Sequence, residues 1–99
     1  MNFLEFSSSL NQKIKQRVET TLLEVHYKDY LFGSGFYAFR VRGKIIKLNF
    51  DGKERYLILE ISKKDDDYPA RSSYYQLYAG TMEKLDDADI DFLIAMLDI

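Results

Sequence analysis

Carboxylates are the most concentrated chemistry-bearing side chains in this chain. Asp87-x-Asp89-x-Asp91, with Asp98 at the twelfth place, copies the acidic spacing of an EF-hand calcium loop. Such a loop also needs glycine at its sixth position for a sharp turn and a bidentate glutamate at its twelfth. Here the sixth position is Phe92, inside the apolar run Phe92–Leu97, so calcium ligation is not the expected use. A helix start accounts for one or two of these acids, because carboxylates there meet unpaired backbone amides and the positive end of the helix dipole. Asp86, Asp87, Asp89 and Asp91, with Asp65, Asp66 and Asp67 further upstream, exceed that need and are read as a partner-binding acidic surface.

The single histidine, His26, alternates with Glu24 and Lys28 on the polar side of a predicted strand. A general base needs a nucleophile or a proton-bearing substrate in reach, and a triad needs an orienting carboxylate; neither is implied. With no cysteine and no second histidine, no soft-metal ligand set, disulfide or thiolate chemistry is available. Gly33-Ser34-Gly35 runs into a strand rather than into a lysine and a helix, so it reads as a turn and not as a phosphate loop. No cofactor fingerprint occurs elsewhere, and a non-catalytic protein without cofactors is expected.

Two further groups of residues could recognise a partner. Arg40, Arg42, Lys44 and Lys47 place four cations on eight residues, near Lys53 and Arg55 across a predicted hairpin, a pattern that could follow a phosphate backbone. The preceding Gly35–Val41 segment shares alternating aromatics with the aromatic strand of RNA-recognition domains. Ser34 stands where that consensus has a basic residue, however, and the βαββαβ order is missing. The second group is tyrosine, eight residues in all, which supplies apolar area with a polar tip and little rotamer freedom to lose. Tyr74 and Tyr78 are expected to be exposed.

Charge is unevenly distributed. Residues 1–64 hold twelve Lys/Arg against seven Asp/Glu, whereas residues 65–99 hold two against nine, within a chain of net charge −2 and pI near 5.3. That acidic balance counts against a dedicated nucleic-acid binder. Ninety-nine residues, 46% of them apolar, make one domain spanning 1–99 with a single core.

Alternation and periodicity supply the elements that must carry these residues. Phe3, Phe6, Leu10, Ile14 and Val18 recur at three and four, one stripe of a helix begun by either Asn2/Glu5 or Ser9/Gln12 as a capping box. Leu23, Val25 and Tyr27 form the apolar side of a first strand, and Tyr37, Phe39 and Val41 that of a second with a basic wet side. A parity change follows at Gly43, which a bulge at the glycine or a tight turn there explains, the bulge being preferred. Asp51-Gly52 predicts a type I′ hairpin joining 45–50 to 54–61, whose apolar residues cover both faces of the return strand. A last strand spans Ser73–Thr81, and Asp86 or Asp87 caps a terminal helix.

The expected fold class is α+β: an antiparallel meander of four to five strands, with an N-terminal and a C-terminal helix packed on one face. In the terminal helix Ile90, Leu93, Ile94 and Leu97 form a core stripe, and Phe92, Met96 and Ile99 a second. Cover by Phe3, Phe6 or Leu10 is the expected fate of the second stripe, with a homodimer through this helix as the alternative.

No apolar run approaches the roughly 18 residues that span a bilayer. The amino terminus has no basic leader, so a cytoplasmic protein without membrane contact is expected. The compact, cysteine-free, Tyr/Lys/Ile-rich composition is similar in style to small phage and mobile-element proteins. The expected function is protein binding of inhibitor or immunity type, with the acidic, tyrosine-bearing surface occupying a basic site on another protein. Single-stranded nucleic-acid binding on the basic aromatic strand is the alternative.

Overall fold

The computed structural model describes residues 2–28, 33–62, 74–81 and 85–97. Helix α1 (Phe3–Lys15) precedes strands β1 (Thr20–Lys28), β2 (Ser34–Val41), β3 (Lys44–Asp51), β4 (Tyr56–Ser62) and β5 (Tyr74–Thr81), and helix α2 (Asp87–Leu97) follows them. The strands form one sheet in the order β1-β2-β3-β4-β5, each neighbouring pair antiparallel. This is the α+β meander with a helix at each end that the periodicities require.

The helix α1 starts at Asn2, whose side-chain oxygen accepts from the Glu5 amide at 2.8 Å while its own amide nitrogen donates to Glu5 Oε1 at 2.8 Å. Ser9, the other candidate start, lies inside the helix. The stripe Phe3, Phe6, Leu10 and Ile14 is fully buried against Tyr37, Phe39, Val41, Ile46, Leu48, Phe50, Leu57, Leu59 and Ile61, which share one face of the sheet. Each such side chain contributes about 1.5–3 kcal/mol on burial. Phe3 stacks on Phe50 with ring centroids 5.2 Å apart and lies 6.0 Å from Tyr27, tying the start of α1 to β3 and β1. One polar chain crosses this interface: Thr20 Oγ1 donates to Asn11 Oδ1 at 2.8 Å, and Asn11 Nδ2 donates to the Tyr37 hydroxyl at 3.1 Å. Ile90, Leu93, Ile94 and Leu97 of α2 complete the same core.

Alternation fails in β1, where the register shifts between Leu22 and Glu24 and Val25, expected on the apolar side with Leu23 and Tyr27, is exposed. Three features of the later strands also differ from the sequence expectations. First, no bulge interrupts β2 and β3, whose register runs unbroken from Gly35↔Phe50 to Val41↔Lys44. The alternative, a tight turn, is what forms: Arg42 (φ 51°) and Gly43 (φ 77°) make a two-residue turn with both central residues left-handed, and its length changes the apolar parity. Second, the β3–β4 hairpin exists, but its turn spans the residues between the Asp51↔Tyr56 pair, with the positive φ on Arg55. Asp51 Oδ1 accepts from the amides of Lys53 at 3.0 Å and Glu54 at 3.4 Å, an Asx turn that takes the place of type I′ geometry. Third, the second face of β4 is not covered throughout: Leu57, Leu59 and Ile61 are buried, whereas Tyr56 is exposed and Ile58 half-buried. Both described helices pack on the other face.

Gly35 is fixed by a close approach of β1 to β2. A Cβ there would lie 2.0 Å from the His26 carbonyl oxygen and 2.8 Å from Tyr27 Cα, both backbone atoms.

Candidate protein-interaction surface

The helix α2 is built from its cap outward. Asp86 Oδ1 accepts from the amides of Ala88 at 3.0 Å and Asp89 at 3.2 Å, and Asp89 Oδ2 accepts from the Asp86 amide at 2.8 Å. The hydrogen bonds from Asp89 hold the Asp86 carboxyl below its ordinary pKa, with the Ala88 amide adding to the effect. Thus Asp86 is the cap, and Asp89 returns the bond as the third helical residue.

The outer side of α2 carries Ala88, Asp91, Phe92, Ala95 and Met96, all exposed, at the spacing of one continuous stripe. Phe92 is 65% exposed and Met96 38%. The expected cover by the first helix does not occur. Phe3, Phe6 and Leu10 are buried in the core shared by the sheet and both helices, and what α1 sends toward α2 at the surface is Lys13, whose Nζ lies 3.2 Å from Asp91 Oδ1. The remaining outward residues of α1, Glu5, Ser8, Gln12 and Lys15, are polar and exposed.

Tyr78 belongs to this region, but not as an exposed side chain. Leu59 pairs with Tyr78 and Glu60 with Gln76, so Leu77 is an extra residue that reverses the parity of β5. Tyr78 therefore shares the core face with Leu59, is half-buried against the core, and donates to the Thr81 carbonyl at 3.4 Å. Its pKa is raised by burial, then by the Asp89 carboxylate and by Tyr56, which places it beside the acidic end of α2. Tyr74 pairs with Ser62 and is also half-buried, whereas Tyr75 is the exposed tyrosine of the strand. The structure thus brings Tyr78, Asp86 and Asp89 together at the start of α2, the helix whose exposed stripe carries Phe92. Asp87 opens α2 with its side chain outside the described set, and Asp65, Asp66 and Asp67 lie outside the described residues.

The basic set does not form a single track. Arg40 and Lys47 are half-buried on the helix-free face of the sheet, where Lys47 Nζ sits 4.9 Å from the Phe36 ring centroid. Arg42 is in the β2–β3 turn, and Lys44 begins β3 opposite Val41 on the other parity. Lys53 and Arg55 flank the opposite end of β3, in the next turn. The predicted basic side of β2 is also interrupted by Ala38, which is fully buried. Tyr37 and Phe39, in turn, are core residues and not a stacking platform.

His26 Nε2 lies 2.6 Å from Glu24 Oε2 on the exposed part of β1, and its ring is 4.8 Å from Phe36. Among the described residues no group of three or more His, Cys, Asp or Glu side chains could hold a metal ion. No described helix is long and apolar enough to cross a membrane. A shallow hollow of about 470 Å³ on the helix-free face is lined by Gly35, Asn49, Asp51, Glu54, Tyr56 and Ile58, among others.

Periodicity identified Phe92 and Met96 as a second stripe, but the arrangement around Arg40 was not legible in the same way. Thr21 meets Arg40 only through the β1–β2 register, and Glu19 through the path of the chain from α1 into β1. No protein-family model matches the chain, and no curated protein or solved structure matches it.

Proposed function

We propose that this protein is a non-catalytic protein-binding module that seats the outer side of α2 in an apolar pocket rimmed by Lys and Arg side chains on another protein. The observation that carries the reading is the exposure of Phe92, at 65%, on an acidic helix already supplying a full core stripe from its other side. A phenylalanine left mostly exposed contributes little to the core, and aromatic anchors in a partner's pocket dominate interface energetics. The flanking charge selects the partner. The helix holds Asp87, Asp89 and Asp91 and no basic residue, so a basic rim steers encounter and discriminates against acidic surfaces. Pairing α2 with a second copy would instead oppose like charges. The inhibitor or immunity type of role, and a source among phage or mobile elements, belong to the same proposal, supported by size and composition alone.

The test is binding by the whole chain and by Phe92→Ser. A protein retained by the wild type should be purified and its affinity measured by calorimetry at two salt concentrations. Loss of about tenfold or more with Phe92→Ser, and weaker binding at the higher salt, support the proposal. Equal affinity of the two chains would overturn it, as would light scattering showing a wild-type dimer that Phe92→Ser converts to a monomer.

A further inference from the structure

The chain leaving α1 turns over its last residues, with Arg17 N and Val18 N both donating to the Ile14 carbonyl, and enters β1 beside the β2–β3 turn. Between them lies an open cleft of about 550 Å³ lined by Val18, Glu19, Thr21, Arg40, Arg42 and Gly43. Thr21 and Arg40 are cross-strand partners, so the hydroxyl and the guanidinium stand on the same face of the sheet. Among the described residues the side chains of Arg40 and Arg42 make no hydrogen bond or ion pair. Two like charges are thus held around one cleft, with the Glu19 carboxylate in its lining but not paired to either guanidinium. Arg42 is held there in a left-handed conformation (φ 51°), at a turn position that favours Asn, Asp or Gly. Backbone strain of this kind persists where the side chain has a use.

From this geometry we infer that the cleft binds a phosphate group, free or carried as a small phosphomonoester, through Arg40 and Arg42. The guanidinium fork matches the oxygen spacing of an oxyanion and bonds it bidentately. Two forks and the Thr21 hydroxyl suit the several acceptor oxygens and double charge of a phosphate, whereas a carboxylate would leave one fork unused. Glu19 stands on the rim and offsets one positive charge, which holds the affinity down. Lys44 does not line the cleft and stands on the opposite face of the sheet from Arg40, and Lys47 does not line it either, so the site is local and does not continue along a nucleic-acid strand. The inference is independent of the α2 surface.

The test follows the backbone amides and the arginine Nε–H signals of the full chain by NMR at low salt, with inorganic phosphate and glycerol 3-phosphate as probes. Saturable shifts confined to residues 18–21 and 40–43 are expected with one or both probes; inorganic phosphate alone assigns the site to the free ion. Arg40→Gln and Arg42→Asn should each weaken binding by about tenfold, and Glu19→Gln should tighten it severalfold, while Lys44→Gln leaves it unchanged. Arg42→Asn also suits the left-handed turn, so its thermal midpoint should not fall, and lost binding then reflects the missing guanidinium. Non-saturating shifts, equal weakening by Lys44→Gln, or acetate binding as tightly as phosphate would overturn the inference. So would binding of oligothymidylate without binding of either small probe.

Discussion

Asp86 and Asp89 cap one helix end reciprocally, the first accepting from the Asp89 amide at 3.2 Å and the second from the Asp86 amide at 2.8 Å. Part of the acidic cluster is therefore structural. The exposed side of α2 retains Asp91, tied loosely to Lys13, and the negative field of the capping pair around Phe92. Folding and recognition share these residues, which makes the helix start sensitive to acid.

The sign of that sensitivity follows from the lowered pKa of Asp86, whose ordinary value is 3.8. The ionised form is favoured in the folded state, so its contribution is complete above the unfolded value and is lost as pH falls through the folded one. Thermal unfolding followed between about pH 5 and about pH 2 should show a falling midpoint. Asp86→Asn keeps a capping oxygen but cannot titrate there, so its acid dependence should be shallower than that of the wild type.

Gly35 has the opposite character, a steric requirement with no charge. The Cβ of Gly35→Ala would meet the His26 carbonyl oxygen at 2.0 Å, and backbone on a paired strand has little room to yield. We expect a loss of about 1–3 kcal/mol in urea unfolding, with β1 amides exchanging faster than those of β3 and β4. Unchanged stability would mean that β1 can separate from β2 at this point without cost.

Tyr78 reports on the neighbourhood of α2 from the sheet side. Burial, the Asp89 carboxylate and Tyr56 raise its pKa above 10.0, so the neutral phenol is favoured on folding. Its contribution is complete below the unfolded value and is lost as pH rises through the folded one. Ultraviolet titration of the tyrosines should show one group ionising later than the ordinary phenols. Asp89→Asn should bring that group part of the way down; if Asp91→Asn did so equally, the local attribution to Asp89 would fail.

Much of this organisation is legible from side-chain periodicity. Leu48, Leu57 and Leu59 alternate around Asp51-Gly52 and are buried together, and both helix stripes face the core as their spacing requires. Conformations that oppose local preference are not legible in this way. Arg42 at φ 51° is an unfavourable residue for a two-residue turn, so the sequence around Gly43 left a bulge and a tight turn both open. At Leu77 a single extra residue reverses the strand parity and moves Tyr78 to the core face, a choice made by pairing with β4 and not by the sequence of β5. The outer stripe of α2 was visible, but its cover was not. The side chains of α1 that could have covered it are the same ones the sheet demands.

That last point separates folding from binding at adjacent residues. Leu93 is buried in the core, and Phe92, one position earlier, is 65% exposed. Leu93→Ala should therefore cost about 2–5 kcal/mol, since it leaves a cavity beneath the helix. Phe92→Ser removes a large apolar side chain from water and should change stability by no more than about 0.5 kcal/mol. Denaturant unfolding of the two variants measures this contrast directly, and light scattering of the wild type across a concentration series should report a monomer at every concentration. A large loss of stability in Phe92→Ser would mean that this ring is covered within the chain after all. Without such a loss, any defect of the variant in partner binding belongs to the interface, because the fold that presents the ring is intact.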